Sequence, residues 1–367
     1  MPVDKAQNGG GSAMGPGDTA LVTGAHGLVG SAVVRRLART GLQVIGIDND
    51  ARAQFFGAAA STRAEGAALC RDIPTYRTLD IDLRDTRALS RLFQERGQGF
   101  AIIVHAAAQP SHDWSALDPV QDFAINAVAT LDLLEQVRNH APSAHFVLLS
   151  SNKVYGDRPN ELPLDRQGQR LVLPTDHPYA ASGIDEGMSI DQCRHSVFGV
   201  SKTAADLLTQ EYALRFGLDA TVFRAGCLTG VAHRGTALHG FLNHLVRTVL
   251  AGDTYRVCGY GGYQVRDNLL AEDVAEAVWL AAGRPGLGVY NLGGGPAASV
   301  SVLEALDMAG ELSGRAARLE IDPKARYGDH KWWISDTGRF RAAFPQWTPS
   351  RNARELIAEL VDGLCTP

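Results

Sequence analysis

Apolar residues recur along this chain in two alternating rhythms, short β-branched runs and longer stretches with helical spacing. Thr19 to Thr23 reads as a short strand, and Val33, Val34 and Leu37 give Ser31 to Leu37 the apolar face of a helix. Gln43 to Ile47 predicts the next strand. A strand near Tyr76 to Asp80, a helix at Thr86 to Arg96, the strand Ala101 to His105, a long helix from Pro119 to Asn139 and the strand His145 to Ser150 follow. Ser201 to Phe216 predicts another helix, ended by Gly217, before the strand Ala220 to Arg224. Strand and helix taking turns imply an α/β fold with a doubly wound parallel sheet.

Two stretches interrupt the rhythm. Residues 50 to 75 and 157 to 195 are longer than ordinary connections, and the second holds Pro159, Pro163, Pro174 and Pro178, which suits a segment covering a site. Beyond Gly226 helices are expected at Leu238 to Leu250, Glu272 to Ala282 and Ser301 to Leu312, around a Gly-rich stretch from Cys258 to Tyr263. Residues 1–18 read as a polar tail with little surface to bury.

The first turn carries chemistry. Thr-Gly-Ala-His-Gly-Leu-Val-Gly joins the first strand to the first helix, with Gly24, Gly27 and Gly30 at the junction. Such glycines permit a tight turn, close approach of backbone to a pyrophosphate and close helix packing, while the helix N-terminus offers N–H groups to the anion. Asp48 ends the second strand, about 20 residues on, where a carboxylate accepts both ribose hydroxyls and repels a 2′-phosphate. NAD is therefore the expected cofactor. The expected division is a Rossmann domain over residues 19–228, to which 268–292 return, and a smaller substrate-binding lobe from 229–267 and 293–350.

Composition narrows the partners. The chain has 367 residues, 45% hydrophobic and 20% charged, enough for a substantial core. A net charge of −5 without a lysine or arginine run gives no footprint for nucleic acid. No apolar stretch has the length of a membrane span, and no signal-peptide core is present at the N-terminus. Cys70, Cys193, Cys227, Cys258 and Cys365 lack paired spacing, so neither a disulfide framework nor a zinc ribbon is suggested, and a reducing cytoplasm is expected. His239 and His244 stand five apart rather than the four of a helical metal pair, so no metal is expected.

Three further motifs are more specific: Ser-Asn-Lys-Val-Tyr-Gly-Asp at 151 to 157, His-Ser-Val-Phe-Gly-Val-Ser-Lys at 195 to 202 and Gln-Val-Arg-Asp at 264 to 267. With these, from about Thr19 to Trp347, the chain resembles the extended short-chain dehydrogenase/reductase superfamily, and within it the CDP-paratose 2-epimerase (CDP-tyvelose epimerase) group. The resemblance implies that Gly24, Gly27, Leu28, Val29 and Gly30 wrap the pyrophosphate. Asp48 and Asn49 hold the adenosine ribose, Asp82 and Leu83 edge the adenine, and Ala106 and Ala107 line the cofactor. Asn126 braces the active site, Arg224 belongs to the cofactor side, Lys202 binds the nicotinamide ribose, and Ser151 is the catalytic hydroxyl. Arg266 and Arg326 match diphosphate contacts, with His239, Phe241, Asp329 and Trp333 nearby. The implied reaction is epimerisation of a nucleotide sugar through a transient keto sugar, at C2 in the tyvelose group, by a homodimer.

The same resemblance exposes a departure. The superfamily's Tyr-x-x-x-Lys dyad supplies a tyrosinate base, and Phe198 stands where the tyrosine belongs. A positioned base contributes about 10²- to 10⁴-fold. Cys227, His195, Tyr179 and Lys153 are the candidate replacements by position, besides a water relay through Ser151. Related 4,6-dehydratases place an Asp-Glu pair directly after the catalytic hydroxyl, and here Asn152 and Lys153 occupy those positions, which disfavours loss of water. Another NAD-dependent nucleotide-sugar oxidoreductase, or a silent binder of NAD and nucleotide sugar, are the competing readings.

Overall fold

The computed structural model describes residues 14–233, 235 and 240–365. Strand β1 (Thr19–Thr23) enters helix α1 (Leu28–Ala38), followed by β2 (Gln43–Ile47), α2 (Ala51–Phe56), α3 (Arg63–Asp72), β3 (Tyr76–Leu79), α4 (Thr86–Arg96) and β4 (Phe100–His105). After α5 (His112–Leu117), α6 (Pro119–Phe123) and α7 (Ala129–His140) comes β5 (His145–Ser151). A hairpin of β6 (Asp165–Gln167) and β7 (Arg170–Val172) precedes α8 (Val197–Phe216), β8 (Ala220–Ala225), β9 (Cys227–Thr229), α9 (Phe241–Ala251), β10 (Thr254–Cys258) and β11 (Val265–Leu270). Then follow α10 (Ala271–Ala281), β12 (Leu287–Leu292), β13 (Ser299–Ser301), α11 (Val302–Ser313), β14 (Arg318–Asp322), β15 (Trp332–Trp333), α12 (Gly338–Ala343) and α13 (Ala353–Cys365).

Seven strands form one parallel sheet in the order β3-β2-β1-β4-β5-β8-β12. Alternation along β1 shows why both faces need cover: Ala20 and Val22 enter a core with Val33, Leu37, Val274 and Val278, whereas Leu21 enters another with Leu89, Ile103 and Leu133. The chain order reverses beside β1, so the crevice opens at the carboxyl ends of β1 and β4. Over it stands a smaller assembly. There β11 pairs with β13, β15 and β9, the separate pair β10-β14 lies beside it, and α9, α11 and α13 share a core around Leu245, Leu306 and Ile357.

Two expectations need correction. Residues 50 to 75 hold α2 and α3 rather than an irregular connection; α3 is built on Ala64, Gly66, Ala67 and Ala68 and buries only Gly66 and Leu69, so it carries almost no apolar period. The long helix at 119 to 139 is interrupted by one wider π turn, Ala124–Val128, which turns Asn126 inward. Such turns gather at functional sites.

Candidate active site

A cavity of about 740 Å³ runs from the carboxyl ends of β1 and β2 to β11 of the smaller assembly. At its sheet end the backbone leaves no room for side chains. Gly24 has φ +66°, and a Cβ there would lie 2.8 Å from Ala107 backbone; a Cβ on Gly30 would lie 2.0 Å from the Gly24 carbonyl oxygen. Helix α1 has no side-chain cap, and its first residues Leu28 and Val29 line the cavity. These features fit a pyrophosphate held by main-chain N–H groups. The Asp48 carboxylate accepts the His26 and Asp50 N–H groups, each at 2.9 Å, which fixes its direction for a ribose. Asn49 donates to Asp82 at 3.1 Å, and hydrogen bonds from Arg84 hold the Asp82 carboxyl below its usual range. The donor set fits NAD.

The middle of the cavity is where β5 and α8 meet. Ser151 ends β5; its hydroxyl accepts the Lys153 N–H at 3.2 Å and donates toward Asn152 at 3.4 Å. Lys202 lies one turn into α8, buried, with Nζ donating to the Leu149 carbonyl at 2.8 Å. Burial pushes this ammonium down to about 8, opposed by the carboxylates of Asp206 and Asp122. Phe198, in the first turn of α8, lines the cavity with its ring against His112, centroids 4.9 Å apart. His112 Nδ1 is in turn 2.6 Å from the hydroxyl of Ser196, which caps α8 by accepting the Gly199 N–H.

The far end is cationic. Arg266 of β11 is buried, with Nη1 donating to the Val265 carbonyl at 2.9 Å, and it lines the cavity with Arg326, Asp329 and Phe241. Burial, helped by the Arg326 guanidinium, pushes the His244 imidazole below its usual range. Lys153 Nζ reaches across to donate to the Gly328 carbonyl at 2.9 Å, and burial pushes it, like Lys202, down to about 8. Burial pushes the Cys227 thiol up to about 11, which keeps it protonated at neutral pH.

Of the residues singled out from sequence, Gly24, Gly27, Leu28, Val29, Gly30, Asp48, Asn49, Asp82, Leu83, Ala106, Ala107, Ser151, Phe198, Lys202, Cys227, Phe241, Arg266, Arg326 and Asp329 line this one cavity. Asn126 lies behind it, donating to the Gln109 carbonyl, Asp122 and Ser201. Two assignments are displaced. Arg224 is turned into a buried pair with Asp206, both contacts at 3.0 Å, and it touches the Tyr155 hydroxyl; Trp333 is fully buried and stacked on Tyr155 at 5.3 Å. Their polar or aromatic ends tie β8 to α8, and β8 and β15 to the turn after β5 that carries Tyr155. His239 lies outside the described residues. Among the candidate bases, His195 and Tyr179 lie off the cavity: His195 Nε2 is 2.9 Å from the Val154 carbonyl, and Tyr179 lines a separate surface depression.

Sequence reasoning missed His26, Arg52, Phe55, His112, Gln264 and Asn268, all on the cavity wall. For two of these a signal existed. Gln264, Arg266 and Asn268 alternate along one strand face, so strand periodicity places all three together once Arg266 is chosen. His112 comes from 84 residues before Ser196 and had no local signature.

The sequence profile of the NAD-dependent epimerase/dehydratase family matches residues 20–184 and 183–293. This chain belongs to that family. It is 27% identical to the CDP-paratose 2-epimerase of Salmonella typhi over 350 residues, 93% of this chain and 98% of that enzyme. The UDP-glucose 4-epimerase of Mycolicibacterium smegmatis is also 27% identical, over 343 residues covering 93% and 97% of the two chains. Among solved structures, the Thermus thermophilus UDP-glucose 4-epimerase in complex with NAD superposes with a TM-score of 0.76 at 26% identity, covering 95% of this chain and 99% of that one. The family is NAD-dependent and acts on nucleotide sugars. Among the described residues no group of metal-ligating side chains forms a metal site, and no helix is long and apolar enough to cross a membrane.

Proposed function

We propose that this protein is an NAD-dependent epimerase of a nucleotide-activated sugar, most like the CDP-sugar 2-epimerases. One observation carries the reading: a single cavity joins the glycine cradle and the Ser151–Lys202 pair to the guanidinium groups of Arg266 and Arg326. Bound NAD supplies the acceptor, then the donor, of one hydride. Gly24, Gly27, Leu28, Val29 and Gly30 hold its pyrophosphate, Asp48 and Asn49 its adenosine ribose, and Lys202 its nicotinamide ribose. The Ser151 hydroxyl donates to the sugar oxygen as a carbonyl develops there. Arg266 and Arg326 grip the diphosphate, which leaves the sugar free to present either face. Asn152 cannot protonate a leaving hydroxyl, so the sugar keeps its oxygens.

Phe198 favours the second reading, a silent binder of NAD and nucleotide sugar. Protein denatured after purification should release NAD if the cofactor recycles in place. Incubation with CDP-, UDP-, GDP- and dTDP-sugars, followed by stereochemical analysis, should give an epimer without net NADH. A net oxidoreductase would instead accumulate NADH, and binding without any product would favour the silent reading.

The proposed assembly is a cytoplasmic homodimer. Val200, Leu207 and Leu214 recur at seven-residue spacing on the exposed face of α8, beside the exposed Leu117, Val120, Phe123 and Val128. An apolar stripe of this kind seeks a partner helix face. Sedimentation of a Leu207→Glu, Leu214→Glu variant as a monomer, against a dimeric parent, is the expected result.

A further inference from the structure

The family's usual base is absent, yet the wall where it would act holds an amine. We propose that Lys153 is the proton-transfer group of this site, taking the sugar hydroxyl proton that a tyrosinate takes elsewhere and returning it. The inference rests on the epimerase reading.

The placement of Lys153 argues for it first. It belongs to the turn that leaves β5, and its backbone touches both Ser151 and the first turn of α8, which carries Phe198. Its N–H donates to Ser151 Oγ, and its carbonyl lies 3.0 Å from where a Cβ of Gly199, the neighbour of Phe198, would stand. Its side chain lines the same cavity as Ser151, Phe198 and Lys202. Among the four candidate bases, His195 and Tyr179 do not reach this cavity, and Cys227 holds its proton too tightly.

Chemistry argues for it second. Among the described residues Nζ makes one hydrogen bond, to the Gly328 carbonyl, so a neutral amine keeps its lone pair for another partner. The charged and titratable groups facing it are Asp329 and His330 from the segment before β15, Arg266 from β11 and Cys227 from β9. Desolvation, with Arg266 assisting and Asp329 opposing, leaves about one amine in ten neutral at pH 7, against about one in three thousand for an ordinary lysine. In the forward step the sugar O–H breaks and its proton joins Nζ. The carbon gives up its hydrogen with the electron pair to the cofactor that the family carries, and C=O forms. In the return step hydrogen and pair come back to the other face, and the Lys153 ammonium gives its proton to the carbonyl oxygen.

Four proteins test this: the parent, Lys153→Met, Lys153→Arg, and Lys153→Met combined with Phe198→Tyr. The substrate is whichever nucleotide sugar of the four-nucleotide panel the parent epimerises. Lys153→Met should lower kcat by about 10²- to 10⁴-fold, with nucleotide-sugar Kd by calorimetry and released NAD both within about threefold of the parent. Lys153→Arg, which keeps the charge and cannot deliver a lone pair, should fail equally. Adding the phenol at 198 should recover at least a decade of the loss. The parent's kcat should rise with pH through about 8, because the neutral amine is the working form, and that limb should vanish in the Lys153→Met variant. A Lys153→Met protein with near-parental kcat, a loss seen only in Kd, or full rescue by arginine would overturn the assignment while leaving the epimerase intact. So would loss on His112→Asn with Lys153→Met unaffected. A parent that turns over none of the panel would sink the epimerase reading, and the role of Lys153 with it.

Discussion

Two buried lysines enter one cavity from different parts of the fold, and burial does the same thing to both. Lys202 stands on a regular helix against the parallel sheet, tied to Leu149 of the neighbouring strand and facing the carboxylates of Asp206 and Asp122. Lys153 stands on a short turn and is tied across the cavity to Gly328, 175 residues away, with Arg266 among its neighbours. Each is pushed down to about 8. What separates them is company. Lys202 has the carboxylates of Asp206 and Asp122 about it, whereas Lys153 has the Asp329 carboxylate, which opposes loss of its proton, together with the Arg266 guanidinium, which favours it. Burial sets the scale of a lysine's acidity, and the surrounding charges set its use.

Four measurements test that contrast. The largest effect is expected from Lys202→Met, which should cost about 10²- to 10⁴-fold in kcat and also reduce the NAD released on denaturation; retention of the cofactor at parental level would erase the distinction from Lys153. Arg266→Met comes next. Loss of charged hydrogen bonds to a diphosphate, about 1.5–3 kcal/mol, corresponds to about a 10- to 150-fold rise in KM, with little change in kcat on the alkaline plateau above the Lys153 limb.

The third is a stability slope. Both lysines have folded values near 8 against 10.5 for the free side chain. Between those values the unfolded chain binds the extra proton, so stability rises with pH by up to about 1.4 kcal/mol per unit for each lysine. The cost of burying the charge is fully present below about 8 and gone above about 10.5. Urea titrations across that window should lose one such increment of slope in either methionine variant. The smallest effect is expected from Asp329→Asn. Removing this carboxylate should move the Lys153 limb of the kcat–pH profile to lower pH, whereas Arg266→Met should move it higher; an unmoved limb in both would place the titration elsewhere.

How much of this was legible in the sequence follows the same division. The sheet end was readable because each part is local: Gly24, Gly27 and Gly30 lie within one turn, and Asp48 closes the next strand. The Ser151 and Lys202 motifs were equally compact. Trp333 and Arg224 were misplaced because a short motif marks a residue's strand without marking its face. Arg224 precedes Ala225 of the cavity wall and Trp333 pairs with Arg266 of β11, yet both side chains lie against Tyr155. Lys153, by contrast, was visible only as one candidate among four. Its partner Gly328 and its neighbour Arg266 arrive from distant segments, and no spacing along the chain announces that meeting.

The order of the seven-stranded sheet also bears on how the molecule is made. Its last strand, β12, is laid against β8 only after β9, β10 and β11 have gone to the smaller assembly. Until residue 292 has left the ribosome, β8 keeps an open hydrogen-bonding edge of six buried residues, the kind of template that pairs with other chains. The large sheet and the smaller assembly are thus tied in birth: a fragment ending near residue 230 would carry every glycine of the cradle and still be an aggregation hazard.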